Sequence, residues 1–320
     1  MELPPALRQA VDRALIGIAL ADLAATATAL SERYRDERRD GRPHIRNEKD
    51  ALAYLAVRLP ATYAAVRASL GAVAEKRPDF APVTMLDIGA GPGTALWAAA
   101  DCWPTLADAA LVEQSALFRT CGETLATGTS LPRMTWRTAD VTAETMSDTT
   151  HDLVTMAYVL NELAPEQWPT IVERLWQRTA GTLVIVEPGT PAGWQRILAA
   201  RAVLIEAGAH VLAPCPHAQA CPLQPPDWCH FAQRVARSRA HRQAKGADVP
   251  WEDEKFSYVA VSRMPASNVA ARVIAPPRKG SGRVTLKLCR PDGSAGEQLF
   301  SRRDGAAFKR ASRSDWGSSP

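Results

Sequence analysis

Between residues 5 and 77 the apolar positions recur with a helical period, and β-branched residues are sparse. Leu7, Val11, Ala14, Leu15 and Ile18 share one face of the first predicted helix. "RDGRPHIRN" breaks the pattern at Gly41 and Pro43, and "EKDALAYLAVRLPATYAAVRASLGAVAEKR" restores it. Pro60 is expected to kink or divide that second stretch, because its ring removes a backbone donor and crowds the preceding turn. The texture changes at Pro82, where short apolar runs begin to alternate with helical segments. Strands are predicted in "VTMLDIG", "DAALVEQ", "MTWRTAD", "HDLVTMAYVL" and "GTLVIVEPG", with helices in "GTALWAAADCW", "SALFRTCGETLAT" and "PEQWPTIVERLWQRT". A further helix over about 193–207 leads to "AHVLAPC", and "KFSYVAVSR" reads as a late strand near the sheet edge. This repetition predicts an α/β, doubly wound parallel sheet of Rossmann-like type. After Arg263 come short β-like pieces, "ARVIAPP", "GRVTLKLC" and "EQLFSRRDG". The expected organisation is a helical region at 1–80, an α/β domain at 81–263 with a Cys-rich module at about 208–245, and an extension at 264–320.

Composition is that of a globular chain, 46% hydrophobic and 22% charged, with no apolar run of about 18 residues that would span a membrane. The net charge of +4 is unevenly spread. From Met264 onward 11 Lys/Arg face 4 Asp/Glu, so the extension carries +7 and the rest of the chain −3. A basic extension on a slightly acidic body predicts a polyanionic partner such as RNA. "MELPPALRQAVDRALIGIALADL" shows charges within its apolar stretch, no small-residue cleavage pattern and no Arg-rich leader, which predicts a cytoplasmic protein. A reducing compartment disfavours disulfides and turns attention to metal or redox chemistry for clustered cysteines.

The stretch "LDIGAGPGT" supplies Gly89, Gly91 and Gly93 between a strand and a helix, where a bare backbone can approach a ligand. Asp87 ends the first strand, Glu113 ends the second at a distance that suits ribose hydroxyls, and Asp140 ends the third as a partner for an adenine amino group. Asp-x-Gly-x-Gly-x-Gly with these two acids resembles the class I S-adenosylmethionine-dependent methyltransferases. The resemblance implies S-adenosylmethionine as ligand. It names no catalytic residue: in "AYVLNELAP" Asn161 is followed by Glu162 and Leu163, not by the Pro-Pro-aromatic of amino-methyltransferases. Pro214-Cys215 comes two elements too late for the Cys nucleophile of cytosine methyltransferases.

"APCPHAQACPLQPPDWCHF" places Cys215, Cys221 and Cys229 in a loop stiffened by five prolines. The spacing lacks the paired C-x2-C hooks of a zinc ribbon. His217, His230 and Cys289 are candidates for a fourth ligand, and zinc or a 4Fe-4S cluster suits such donors equally. Cys102 and Cys121 fall within predicted helices as small buried thiols.

Taken together and in order, "YLAVRLPATYAA", "LDIGAGPGTALWAA", "LVIVEPGTPAGWQRI", "APCPHAQACP", "DWCHFAQRVARSRAHR" and "EDEKFSYVAVSR" resemble the methyltransferase-like assembly factors of the mitochondrial small ribosomal subunit and their bacterial homologues. That resemblance implies a 4Fe-4S cluster on Cys215, Cys221, Cys229 and Cys289. It also implies binding to ribosomal RNA and a role in small-subunit maturation. Away from the ribosome a monomer is expected. The cations matched to an RNA role are Arg234, Arg237 and Arg242 after the third cysteine, with Arg278, Lys279, Arg302 and Arg303 in the extension. The other reading is an active rRNA methyltransferase whose cysteine site, iron-sulfur or zinc, is purely structural.

Overall fold

The computed structural model describes residues 1–35, 44–142, 149–265 and 270–320. The expected break at Gly41 and Pro43 lies outside them. Helices α1 (Pro5–Ala14), α2 (Leu20–Arg35), α3 (Glu48–Val57) and α4 (Leu59–Lys76) open the chain. In α1 the predicted face buries Leu7 and Val11, but the helix stops at Ala14, so Leu15 and Ile18 lie beyond it. Gly17, at φ +81°, follows that end. Asn47 caps α3 by accepting from the Asp50 N–H at 3.0 Å. Pro60 does divide the second stretch: α3 ends at Val57, and the proline sits in the first turn of α4, where its missing N–H needs no partner.

Alternating strands and helices then build the central layer: β1 (Thr84–Ile88), α5 (Thr94–Cys102), β2 (Asp108–Val112), α6 (Ala116–Ala126), β3 (Arg133–Arg137), β4 (His151–Ala157), α7 (Trp168–Gln177), β5 (Thr179–Pro188), α8 (Pro191–Glu206) and β6 (His210–Ala213). β7 (Phe231–Ala236), α9 (Arg239–Ala244) and β8 (Trp251–Ser262) complete it. The sheet order is β3-β2-β1-β4-β5-β8-β6, with β7 also on β8. β1 to β5 run parallel, as the alternation predicts, while β8 is antiparallel to β5, β6 and β7. The sheet is therefore a mixed, Rossmann-like one, and "KFSYVAVSR" lies inside it rather than near its edge. Its buried run from Phe256 to Ser262 fits a strand covered on both sides. β6 and β7 share the edge of β8 opposite β5, so the cysteine loop leaves the sheet after β6 and re-enters it at β7.

One face of the sheet shares a core with the N-terminal helices, through Leu55, Leu59, Leu70, Met85, Leu96 and Leu153. Each such leucine contributes roughly 1.5–3 kcal/mol relative to exposure, which anchors α3 and α4 firmly. The other face packs Ile88, Met156, Leu175, Ile185 and Leu204. A second antiparallel sheet follows, from β9 (Arg272–Val273), β10 (Arg278–Gly280), β11 (Arg283–Cys289) and β12 (Ala295–Ser301), with α10 (Ala306–Arg313) against it. Val273, Val284, Leu286, Leu288 and Ala311 form its small core. The last residues return to β9: Gly317 N–H donates to Val273 O at 2.9 Å, and Val273 N–H to Ser318 O at 3.0 Å.

Candidate functional site

At the C-terminal end of β1 the chain turns through Gly89, Gly91 and Gly93, all with positive φ. A side chain on Gly89 would bring its Cβ within 2.3 Å of Val159 Cγ2, so backbone geometry and crowding both demand glycine there. Asp87, 1% exposed, lies beneath this loop. Its Oδ1 accepts from Thr155 Oγ1 at 2.6 Å, and its Oδ2 is buried without a hydrogen-bond partner among the described residues. Burial pushes its carboxyl up to about 7, with the Thr155 hydrogen bond opposing and the charge of Glu113 adding. Glu113, at the end of β2, accepts from Gly91 N–H at 2.8 Å and from Ser115 N–H at 2.7 Å. Burial raises its carboxyl, and these backbone donors pull it back. A carboxylate offers about four lone-pair sites, so acceptor capacity remains for a hydroxyl beside these donors.

Beside this loop lies a cleft of ≈ 880 Å³, large enough for a cofactor-sized molecule, whose lining does not include the buried Asp87 or Gly93. Gly89, Gly91 and Glu113 line it. Asp140 does not: its carboxylate accepts from both Thr142 N–H and Thr142 Oγ1 at 2.7 Å, while the flanking Ala139 and Val141 face the cleft. The opposite wall comes from the N-terminal helices, as Tyr54, Arg58 and Thr62. Sequence reasoning gave that region no part in the site. A signal was present in "YLAVRLPATYAA", where a tyrosine, an arginine and a threonine interrupt a helix that is otherwise apolar and small.

The cysteine loop builds a second cavity. Cys215 follows β6, Cys229 precedes β7, Cys221 lies between them, and Cys289 ends β11; all four line one space of ≈ 30 Å³. The two cysteines in helices, Cys102 and Cys121, lie elsewhere, on α5 and α6. Burial raises the thiols of Cys215 and Cys229 and takes Cys289 to about 12, so these three are neutral in the free state. His217 also lines the cavity, its Nε2 3.3 Å from Cys289 Sγ. His230 instead stacks on Trp228 and meets Trp316 edge-on, with 4.9 Å between ring centroids in each case. Among the described residues no three His, Cys, Asp or Glu side chains are grouped as they would be around a single metal ion.

The basic residues divide into paired and unpaired sets. Arg234 binds Asp253 at 3.0 Å, and Arg237 binds Glu252 at 3.0 Å. Arg278 grips Glu297 through both nitrogens, and Lys279 lies 3.5 Å from Asp315. Arg242 is half-buried. Arg302 and Arg303 are exposed and form no ion pair with any described residue, and the same holds for Lys309, Arg310 and Arg313.

Comparison with known proteins adds the following. The family model described as mitochondrial small ribosomal subunit Rsm22 matches residues 48–319. The human mitochondrial ribosome assembly protein METTL17 is 30% identical over 288 residues, covering 83% of this chain and 61% of that protein. Two Rsm22-cox11 tandem proteins of Schizosaccharomyces pombe, both mitochondrial, are 23% identical, covering 84% of this chain and 43% of theirs. The chain thus spans less than two thirds of the length of these relatives. Among solved structures, magnesium protoporphyrin IX methyltransferase from Synechocystis with bound SAH is 13% identical, with a TM-score of 0.43 over 73% of this chain and 94% of that one. The plantazolicin methyltransferase BpumL in complex with SAH is 11% identical, with a TM-score of 0.41 over 81% and 99%. The cytoplasmic expectation is corrected by the relatives, which are mitochondrial proteins and point to the mitochondrion instead. It rested on leader composition, and an organelle address is read by import receptors rather than set by the folded body.

Proposed function

The chain belongs to the mitochondrial small ribosomal subunit Rsm22 family, and on that premise we propose that it is a small-subunit assembly factor that binds S-adenosylmethionine, a 4Fe-4S cluster and ribosomal RNA. The observation that carries the reading is the family match over residues 48–319, which takes in the thiol cavity, most of the cleft lining and the basic second sheet. Support for the donor comes from the cleft. The unpartnered Asp87 Oδ2 suits the ammonium of the methionine moiety, and Glu113 has lone pairs for ribose hydroxyls. When bound, the donor supplies an electrophilic methyl group. The residues described here hold and orient it, with Tyr54, Arg58 and Thr62 shielding it from the helical side.

Support for the cluster is the all-thiol donor set drawn from two parts of the fold. Cys215, Cys221, Cys229 and Cys289 would hold it, and it would tie the second sheet to the body. RNA binding draws on the exposed, unpaired cations of 302–313, whose contacts with phosphate would be salt-dependent.

The test combines anaerobic purification, iron and sulfide analysis, and sedimentation with immature small subunits in the presence of labelled S-adenosylmethionine. Co-sedimentation, bound donor and about four irons per chain are expected. Failure to sediment above a charge-matched control would overturn the assembly role. Stoichiometric zinc without iron would replace the cluster by a structural zinc site. Label transferred to RNA would make the protein an active methyltransferase.

A further inference from the structure

Three arginines are buried among the described residues, and their environments differ sharply. Arg196, 2% exposed, has the carboxylate of Glu187 at 2.7 Å. Arg201 and Arg272, 5% and 2% exposed, have no carboxylate partner. Arg201 donates to the carbonyls of His217 at 2.7 Å and Gln219 at 2.8 Å, reaches the Cys215 thiol, and leaves its Nε without a partner. Arg272 donates to Pro214 O at 3.3 Å and to Gly317 O. Arg201 therefore stands in the wall of the thiol cavity, and Arg272 lies behind it, bonded to the lining residue Pro214 and close enough for its charge to act on Cys215 and Cys229. The carboxylates whose charge is felt there, Asp292 at His217 and Glu75 at Tyr258, are both exposed to solvent. The further cation at Arg272, Lys76, is 7% exposed and only adds to the imbalance.

Isolated buried cations are costly, and protein interiors hold them beside compensating anions. Among the described residues, the cavity lining holds no carboxylate. Four thiolates around a doubly charged metal core leave two negative charges, which match two guanidinium groups. We infer that Arg201 and Arg272 are the counter-charge built into the thiol cavity, positioning residues that make it a site for a dianionic metal–thiolate guest. The inference rests on reading the cavity as a metal site. It adds a charge requirement that a family ligand set does not contain, and it gives two residues outside the cysteine loop a defined task. Arg201 fixes the loop through His217 and Gln219, while Arg272 joins the start of the loop to the C-terminal residues. Loading the guest thus neutralises the wall and locks both contacts at once.

The experiment uses the full chain reconstituted anaerobically with iron and sulfide, comparing wild type with Arg201→Met, Arg201→Lys, Arg272→Met and Arg272→Lys. Each Met variant should lose the guest to a chelator at about 10- to 100-fold lower concentration than wild type, the range found when groups supporting metal ligands are removed. Loading should raise the melting temperature of wild type and the Lys variants more than that of the Met variants. In the variants that load, the reduction midpoint should fall with Met and return toward wild type with Lys, because a positive charge favours the added electron. A purely structural role would lower metal-free and loaded stability alike and leave the midpoint unmoved, which would overturn the inference. Met variants that load and resist chelation like wild type would also overturn it. A wild-type chain that takes up neither iron and sulfide nor zinc would overturn the metal reading and this inference with it. Should Arg272→Met fail to fold, Arg201→Met decides by the same readouts.

Discussion

Replacing Asp87 by Asn should stabilise the ligand-free protein in mildly alkaline buffer while removing its grip on the methyl donor. The wild-type carboxyl is buried and titrates at about 7 instead of 3.8, chiefly because burial penalises its charge. Between those two values the folded state keeps a proton that the unfolded state has lost. Stability therefore falls as pH rises through the window and levels off above it. A shift of about three units corresponds to roughly 4 kcal/mol at pH 8, of which roughly 1.5–2 kcal/mol is already present at pH 5. Asparagine does not ionise. Its own penalty, an amide N–H where Oδ2 now lacks a partner, is about 1–3 kcal/mol and independent of pH. The stability difference should thus move by roughly 2–3 kcal/mol in favour of the variant between pH 5 and pH 8. Urea denaturation of both proteins at the two pH values measures it directly. A difference that does not move with pH would refute the placement of that proton on Asp87. Titration with S-adenosylmethionine completes the pair of measurements. An ammonium against Asp87 favours the ionised carboxylate, so donor affinity should rise from pH 5 to pH 8 in wild type and stay flat and weak in the variant.

Gly89→Ala should unfold the loop locally and abolish donor binding, at a cost of more than about 2 kcal/mol, because a Cβ there meets Val159 and φ is +68°; a variant with wild-type melting temperature and affinity would contradict this. Glu252→Gln should cost about 2–4 kcal/mol at neutral pH, since Arg237 and Lys245 lose a shared carboxylate at 3.0 and 2.7 Å. Burial alone would raise the Glu252 carboxyl, but hydrogen bonds from His241 and Lys245 outweigh it and hold the group well below the ordinary range. Its contribution is therefore present above about pH 4.5 and disappears as pH falls through the strongly acid range, so the gap between wild type and variant should close in acid. Arg302→Glu with Arg303→Glu should weaken RNA binding about tenfold or more and flatten its salt dependence by roughly 0.7–0.9 per lost phosphate contact. Arg278→Gln, which removes a side chain already held by Glu297, should do much less, and filter binding across a salt series separates the two.

Periodicity made the architecture legible because strands buried on both faces and helices with small apolar faces leave distinct local patterns. The glycine loop was legible for the same local reason: turn, strand end and helix start fall within a dozen residues. Long-range placement was not. β8 reads like any apolar strand, and only its pairing with β5 on one side and β6 and β7 on the other shows that it is interior and reversed. The cleft beside the glycine loop borrows a wall from α3 and α4, where Tyr54 meets Phe118 across the core at 4.8 Å, a contact between residues 64 positions apart. Cys289 was matched to the other three cysteines through a family resemblance, since spacing alone left His217 and His230 open. The arginines beside the thiols carried no signal of their own: a buried guanidinium and a solvated one look identical in a sequence.

Charge counting shows the same boundary from the other side. The +7 of the extension and the arginines after Cys229 argue equally for RNA when read along the chain. In the fold, cross-strand neighbours absorb several of them: Asp253 takes Arg234, Glu252 takes Arg237, and Glu297 takes Arg278. An exposed ion pair holds its partners only weakly, so phosphate could compete for these arginines, but each would first have to give up a carboxylate. Arg302, Arg303, Lys309, Arg310 and Arg313 face no such exchange. They lie on one short turn and on α10, whose Phe308 and Ala311 pack against the second sheet and leave its basic side outward. That sheet also carries Cys289, so the surface best suited to a polyanion is joined to the body at the thiol cavity. On the proposed reading, a guest in that cavity would stiffen the joint and fix the direction in which the basic helix points toward RNA.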